Sequence, residues 1–108
     1  MASRRRQVRW TVPARADLRG ELSYLRKHRP RLAVTFAREV RETAARLGGL
    51  PRLGAVCRDL RPRGRYRHVV IGTFRLIYRV DDDTRVVVIV RFWDGRRNPD
   101  ELSVDESG

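Results

Sequence analysis

The chain is short of almost everything that would mark a catalytic or membrane protein. Cys57 is its only cysteine, so an internal disulfide is excluded and a reducing cytoplasm suits it. The nearest histidine to it in sequence is His68, and the other, His28, stands at a polar helix end. A cysteine nucleophile with a histidine partner is therefore not expected, and Cys57 reads as structural. No run of roughly 18 or more apolar residues exists, so no membrane-crossing helix is expected. The opening MASRRRQ is basic but has no apolar stretch of the kind a signal peptide carries. No metal-ligand spacing, glycine-rich phosphate loop or Ser/His/Asp set is present, so no cofactor is expected. The aspartates Asp81 to Asp83 read as a hairpin turn and not as a metal site. Lysine is nearly absent too: every basic residue except Lys27 is arginine.

What the chain has is positive charge. Among its 108 residues, 25 are basic and 13 acidic, a net charge of +12. A GC-rich genome explains arginine in place of lysine, but not a surplus of cations, because it would not remove acids. The surplus suits an anionic partner: nucleic acid, a nucleoprotein or an acidic protein. The length favours one domain over residues 1–108, with 1–7 and 103–108 expected to be loose ends. A chain of this size buries roughly 60–70% of its unfolded surface, which allows one core and little more.

Periodicity sketches the elements. VRWTV, Val8 to Val12, alternates as a first strand. Thr11 can cap a helix with Pro13 in its first turn, and Leu18, Leu22 and Leu25 form its apolar stripe. Pro30 opens a second helix, whose stripe of Ala33, Phe36, Ala37, Val40, Ala44 and Leu47 keeps the helical period until Gly48, Gly49 and Pro51 stop it. The short connection predicts an antiparallel helical hairpin. Leu50 to Gly64 reads as a surface loop with a short strand near Val56 to Leu60. Three strands follow: Tyr66 to Ile71, Phe74 to Val80 and Arg85 to Trp93, joined by turns short enough to make neighbours antiparallel. The tail Asp100 to Gly108 carries four acids and no base, and is expected to be frayed or to form a last short turn.

Alternation then assigns faces. Phe74, Leu76, Tyr78 and Val80, with Val86, Val88, Val90 and Phe92, are expected to meet the helices. Arg75, Ile77 and Arg79, with Val87, Ile89, Arg91 and Trp93, are expected on the other face. A surface of apolar residues beside arginines is typical of a protein interface. Trp and Arg are also the usual hot spots there. The expected binding residues are Arg65, Arg75, Ile77, Arg79, Ile89, Arg91, Trp93, Arg96 and Arg97.

The order strand, two helices, three strands, and the segments that fill it, resembles the RelE/ParE superfamily of toxins from bacterial toxin–antitoxin pairs. The residues carrying the resemblance run from about Val8 to Leu102: VRWTVPARADL, Arg31 to Phe36, Leu47 to Pro51, and above all FRLIYRV followed by VVVIVRFWDGRRNP. The resemblance implies an α+β fold, an antiparallel sheet of about four strands with the helical hairpin on one face. It implies the toxin of a type II toxin–antitoxin module, a growth inhibitor of the kind linked to plasmid stabilisation. The implied partner is a small antitoxin whose acidic, initially disordered segment orders on binding. Two modes of action follow. RelE-like members cut mRNA on the ribosome without a metal, using cationic side chains to stabilise the transition state. ParE-like members bind DNA gyrase. On the nuclease reading Arg75, Arg67, His68 and Arg97 would be catalytic, with Arg65 nearby. Against it, the C-terminal tyrosine of such nucleases is missing, since no tyrosine follows Trp93; Tyr66 or His68 would have to stand near Arg75 to replace it. The ParE-like mode is therefore preferred. The alternatives are the ribosome-dependent mRNA interferase and a decayed, non-toxic module that only binds antitoxin.

Overall fold

The computed structural model describes residues 5–106. The looseness expected of residues 1–4 and 107–108 lies outside the described residues. In chain order the elements are β1 (Gln7–Trp10), α1 (Val12–His28), α2 (Pro30–Gly49), β2 (Ala55–Val56), β3 (Tyr66–Ile71), β4 (Phe74–Asp81) and β5 (Val86–Asp94). A 3-10 turn, Pro99–Glu101, follows β5. The sheet order is β1-β5-β4-β3-β2. This is an α+β fold, but with five strands where about four were expected. It is also mixed: β1 runs parallel to β5, while the other neighbours are antiparallel. The reason is connectivity. The chain leaves β1 into the helices and returns to it only at β5, a long crossover of the kind parallel neighbours require.

Local chemistry sets the element ends. The Thr11 hydroxyl accepts from Ala14 N–H at 3.3 Å and so caps α1, with Pro13 in its first turn. Arg29 alone separates the helices, and Pro30 starts α2. Gly48 is needed by contact: a Cβ there would stand 2.7 Å from the Arg6 carbonyl oxygen, which lies where β1 meets the end of α2.

The helices cover one face of the sheet. Val40, Ala44 and Leu47 of α2 and Ala14 of α1 pack there on Ile71, Phe74, Leu76, Tyr78, Val87, Ile89 and Phe92. Phe74 and Phe92 stack at 4.8 Å between ring centroids, and Phe36 meets both at 5.6 and 5.9 Å.

Strict alternation fails on β5. Ile77 pairs with Arg91 but Tyr78 pairs with Ile89, so Val90 is an extra, bulged residue. One extra residue inverts every face on one side of it. Phe92 meets the helices as expected, and Arg91 and Trp93 the opposite face. Before the bulge the assignment is reversed: Val87 and Ile89 lie under the helices, while Val88 and Val90 pack on the far side. Ile89 is thus core, fully buried, and not part of the second face.

Two anchors hold the bulge. The Thr11 N–H donates to the Ile89 carbonyl at 3.0 Å and its hydroxyl to the Val90 carbonyl at 3.3 Å. Asp17 accepts from the Phe92 N–H at 3.0 Å. Both anchors come from the first helix and its cap, far away in sequence.

Candidate functional site

The second face carries Arg75, Arg79 and Arg91 together, as alternation predicts, but it is not open. The chain covers it twice. Cys57 and Leu60 of the segment after β2 pack on it, as do Leu102 and Val104 of the C-terminal segment, over Tyr66, Ile77, Val90 and Trp93. Ile77 and Trp93, expected to be presented to a partner, are 0% and 2% exposed. The expectation of an apolar surface interleaved with free arginines is corrected here. A chain with so small a first core has apolar residues left over, and it builds a second, smaller core from them.

Each of the three arginines is consumed by an acid. Arg75 grips both Asp59 oxygens, at 2.7 and 2.9 Å, and its Nε–H donates to His68 Nδ1 at 3.0 Å. The hydrogen bond from Arg75 holds the Asp59 carboxyl below its usual range. His68 Nδ1 is 3.5 Å from the Cys57 sulfur. Because Nδ1 accepts from a guanidinium, it carries no proton, which fixes His68 as the neutral ring with its hydrogen on Nε2. Burial, and then the Arg75 charge, push its pKa down. Burial pushes the Cys57 thiol up, so the thiolate is disfavoured and the residue is a buried structural thiol.

Arg91 holds Asp17 through two bonds of 2.7 and 3.2 Å, donates to the Ser103 carbonyl at 2.7 Å and lies over the Trp93 ring at 5.1 Å. Arg79 donates through Nε to Glu106, whose other oxygen accepts from the Tyr66 hydroxyl at 2.6 Å. Arg65 stands 3.5 Å from the same carboxylate and donates to the Tyr66 oxygen at 3.2 Å. Burial alone would raise Glu106, but the bonds from Tyr66 and Arg79 outweigh it and the net shift is downward. For Tyr66, burial and then its bond to Glu106 raise the pKa, so the hydroxyl keeps its proton.

The remaining expected residues scatter. Arg67 does not join His68, because neighbours in a strand point to opposite sides. It pairs across the strands with Tyr78 and donates to the Gly54 carbonyl at 2.8 Å. Gly54 also donates its N–H to the Tyr78 hydroxyl at 2.9 Å, and a Cβ there would stand 2.5 Å from the His68 carbonyl oxygen. Arg97 lies over Trp93 at 4.2 Å and bonds Glu101, while exposed Arg96 bonds Asp94. Asp17, Asp59 and Glu106 were missed by sequence reasoning. The only available signal was an excess of strand arginines that needed partners.

Two concave regions are formed by the described residues. One is an open apolar groove of about 580 Å³ between α1, α2 and β1, floored by Val8, Trp10, Leu18, Leu22, Val40 and Ala44. Arg15, Arg19, Arg26 and Arg41 line it as well. The stripe Leu18, Leu22 is thus only half-buried by its own fold. The other is a polar trough at the end of the sheet, with Arg52, Arg65, Arg67 and Arg79 facing Asp81 to Asp83. Among the described residues no cluster of histidine, cysteine and carboxylates could hold a metal, and no helix is long and apolar enough to cross a membrane.

A helical hairpin on one face of a small mixed sheet, with an arginine-lined groove along the hairpin, makes this a cationic α+β protein. The family profile of the "ParE toxin of type II toxin-antitoxin system" matches residues 8–99, and the chain belongs to that family. Among solved structures it is similar to the chromosomal ParDE toxin–antitoxin system of P. aeruginosa. There the TM-score is 0.67 at 21% identity, over 85% of this chain and 98% of that one. It is also similar to the RelBE2 toxin–antitoxin complex of Mycobacterium tuberculosis, with a TM-score of 0.58 at 33% identity, over 83% of this chain and 98% of that one. No curated protein matches the chain in sequence.

Proposed function

We propose that this toxin inhibits growth by binding DNA gyrase and not by cutting RNA, and that a cognate antitoxin neutralises it. One observation carries the reading: Arg75, the central arginine that a nuclease would aim at a phosphate, is already gripped by the chain's own Asp59. Arg75 has all three nitrogens engaged, two by Asp59 and one by His68. Stabilising a developing phosphorane charge needs donors held ready at roughly 2.7–3.1 Å from where that charge forms. Donors spent on a carboxylate must first be released. His68 spends its Nδ1 lone pair on Arg75, and Tyr66 spends its proton on Glu106. With its remaining ring hydrogen on Nε2, His68 offers no free lone pair as a base beside Arg75.

The apolar groove supports the antitoxin. Its floor takes the apolar stripe of a helix, and its arginines favour acids along the flanks of that helix. Both similar structures are of toxin–antitoxin systems. A surplus of +12 would speed the encounter with an acidic partner and make its rate fall with salt.

A second reading, the ribosome-dependent mRNA interferase, draws on the polar trough, where Arg52, Arg65, Arg67 and Arg79 converge. Purified chain, freed of antitoxin, is to be added in parallel to a gyrase supercoiling reaction and to a programmed ribosome. Lost supercoiling with intact mRNA is expected. Cut mRNA with normal supercoiling would replace the gyrase reading by the interferase. No growth defect on induced expression would favour the non-toxic module.

A further inference from the structure

The cations of this chain are treated differently in two places. On the sheet, Arg75, Arg79 and Arg91 each meet a carboxylate of the chain. At the tip of the helical hairpin none does. From Leu22 to Arg38 the sequence holds no acid. Within that window Arg26, Lys27, Arg29 and Arg31 cross the single-residue joint between α1 and α2, and all four are exposed. Among the described residues, no carboxylate lies within ion-pair distance of their charged groups. A fold that provides acids for its strand arginines and none for these leaves their charge for something outside the chain.

We propose that the hairpin tip is a docking surface for duplex DNA, which it holds by the phosphate backbone without reading sequence. Charge alone would also suit an anionic membrane or an acidic protein. The apolar residues decide against both. Those exposed near the tip are Tyr24, Leu32 and Val34. Leu32 and Val34 stand about 200° apart around α2. No single plane takes both, as lying in a membrane interface requires. Nor do they form the contiguous apolar centre of a protein interface. A phosphate backbone needs no such centre.

Among nucleic acids, single strands are gripped by stacking bases on open aromatic rings. The exposed rings of the tip, Tyr24 and His28, lie against each other at 4.4 Å between centroids. Duplex DNA keeps its bases stacked inside, carries one charge per ~1.7 Å of axis and asks only for exposed cations. Another exposed cluster, Arg58, Arg61 and Arg63, lies in the loop before β3. It is interrupted by Asp59, and Arg61 is turned back onto the Arg58 and Leu60 carbonyls. Gyrase works on duplex DNA, so a toxin held on that DNA is held near its target. That role rests on the gyrase reading; the DNA contact does not.

The test is fluorescence anisotropy of a short labelled DNA duplex with the purified full-length chain, over a range of salt and without gyrase. Two triple variants make the same change in net charge. One carries Lys27→Gln, Arg29→Gln and Arg31→Gln at the tip, the other Arg58→Gln, Arg61→Gln and Arg63→Gln in the loop. The tip variant is expected to bind about tenfold more weakly or worse. Its slope of log affinity against log salt should flatten by about 3, since each lost phosphate contact removes ~0.9. The loop variant should keep most of the natural slope. Arg29→Lys with Arg31→Lys should keep it too, because a phosphate accepts either cation. A duplex of unrelated sequence should bind equally well. Equal losses in the two triple variants would show that net charge and not the tip draws the DNA, and would overturn the proposal. So would an unchanged slope in the tip variant, or tighter binding of a single RNA strand of the same length. Should the loop variant not fold, Arg58→Gln with Arg63→Gln, set against Arg29→Gln with Arg31→Gln, gives the same comparison. Gyrase is absent throughout, so failure of the gyrase reading would leave the result standing.

Discussion

The two faces of one sheet are closed by different physics. The first lies under two helices and holds aliphatic and aromatic side chains only: Leu47, Val40, Leu76, Tyr78 and the trio Phe36, Phe74, Phe92. The second lies under irregular chain and depends on charge pairs around a small apolar centre: Arg75 with Asp59, Arg91 with Asp17, Arg79 and Arg65 with Glu106. Apolar burial is indifferent to salt screening and to protonation. Charge pairs are sensitive to both. The first face should therefore set global stability, and the second should set how loosely the covering segments are held.

The largest break in that comparison comes from Phe36→Ala. It removes a ring that touches two others, and is expected to cost about 3 kcal/mol in denaturant unfolding. Against a typical total of ~5–15 kcal/mol, this is severe. A cost below ~1 kcal/mol would mean that the helix-covered face is not the main core.

Next in size is Asp17→Ala. It strands the mostly buried Arg91 guanidinium and leaves the Phe92 N–H at the bulge without its acceptor. About 2 kcal/mol is expected, the cost of leaving such groups unpaired. Part of it should vanish in 1 M salt, where screening acts over about 3 Å. Asp17→Asn should recover some of the loss, since an amide oxygen can still accept from Phe92. Equal losses for the two variants would show that the backbone bond contributes nothing.

That bulge is also where sequence reading stops. The bounds of β3, the start of β4, the Thr11 cap and the Pro30 start were legible because each depends on neighbours within a few residues. The faces of β4 were legible for the same reason. Those of β5 were not, because Val90 is displaced by groups contributed by Thr11 and Asp17, more than seventy positions away. Arg75, Arg79 and Arg91 were rightly placed on one face. Their partners were invisible, since Asp59 and Glu106 sit in segments with no period of their own. The separation of Arg67 from His68, by contrast, was available from alternation alone.

The pH prediction separates the faces without a mutation in either core. His68 has a lowered pKa in the fold, so the unfolded chain binds its proton more readily. The stability this contributes is present in full above the unfolded value, about 6.5, and is lost as pH falls from there through the folded value. Asp59, also lowered, contributes above about 3.9 and loses its contribution below that. Unfolding midpoints in urea should therefore decline gently between pH 7 and pH 5, and again below pH 4. In His68→Asn the first decline should flatten while the second persists. An unchanged first decline would mean that burial and the Arg75 charge do not hold His68 neutral.

The smallest effect is expected from Glu106→Gln. The amide keeps an acceptor for Tyr66 but loses the charge that draws in Arg79 and Arg65. Global stability should fall by less than ~1 kcal/mol, as is usual for a part-exposed ion pair. Hydrogen exchange should tell more. Amides of 102–106 should lose protection, while those of Leu76 and Tyr78 keep theirs, because local opening draws on the second face alone. If both sets lost protection together, the two faces would be one cooperative unit. The tail would then be a structural part of the fold and not a removable cover.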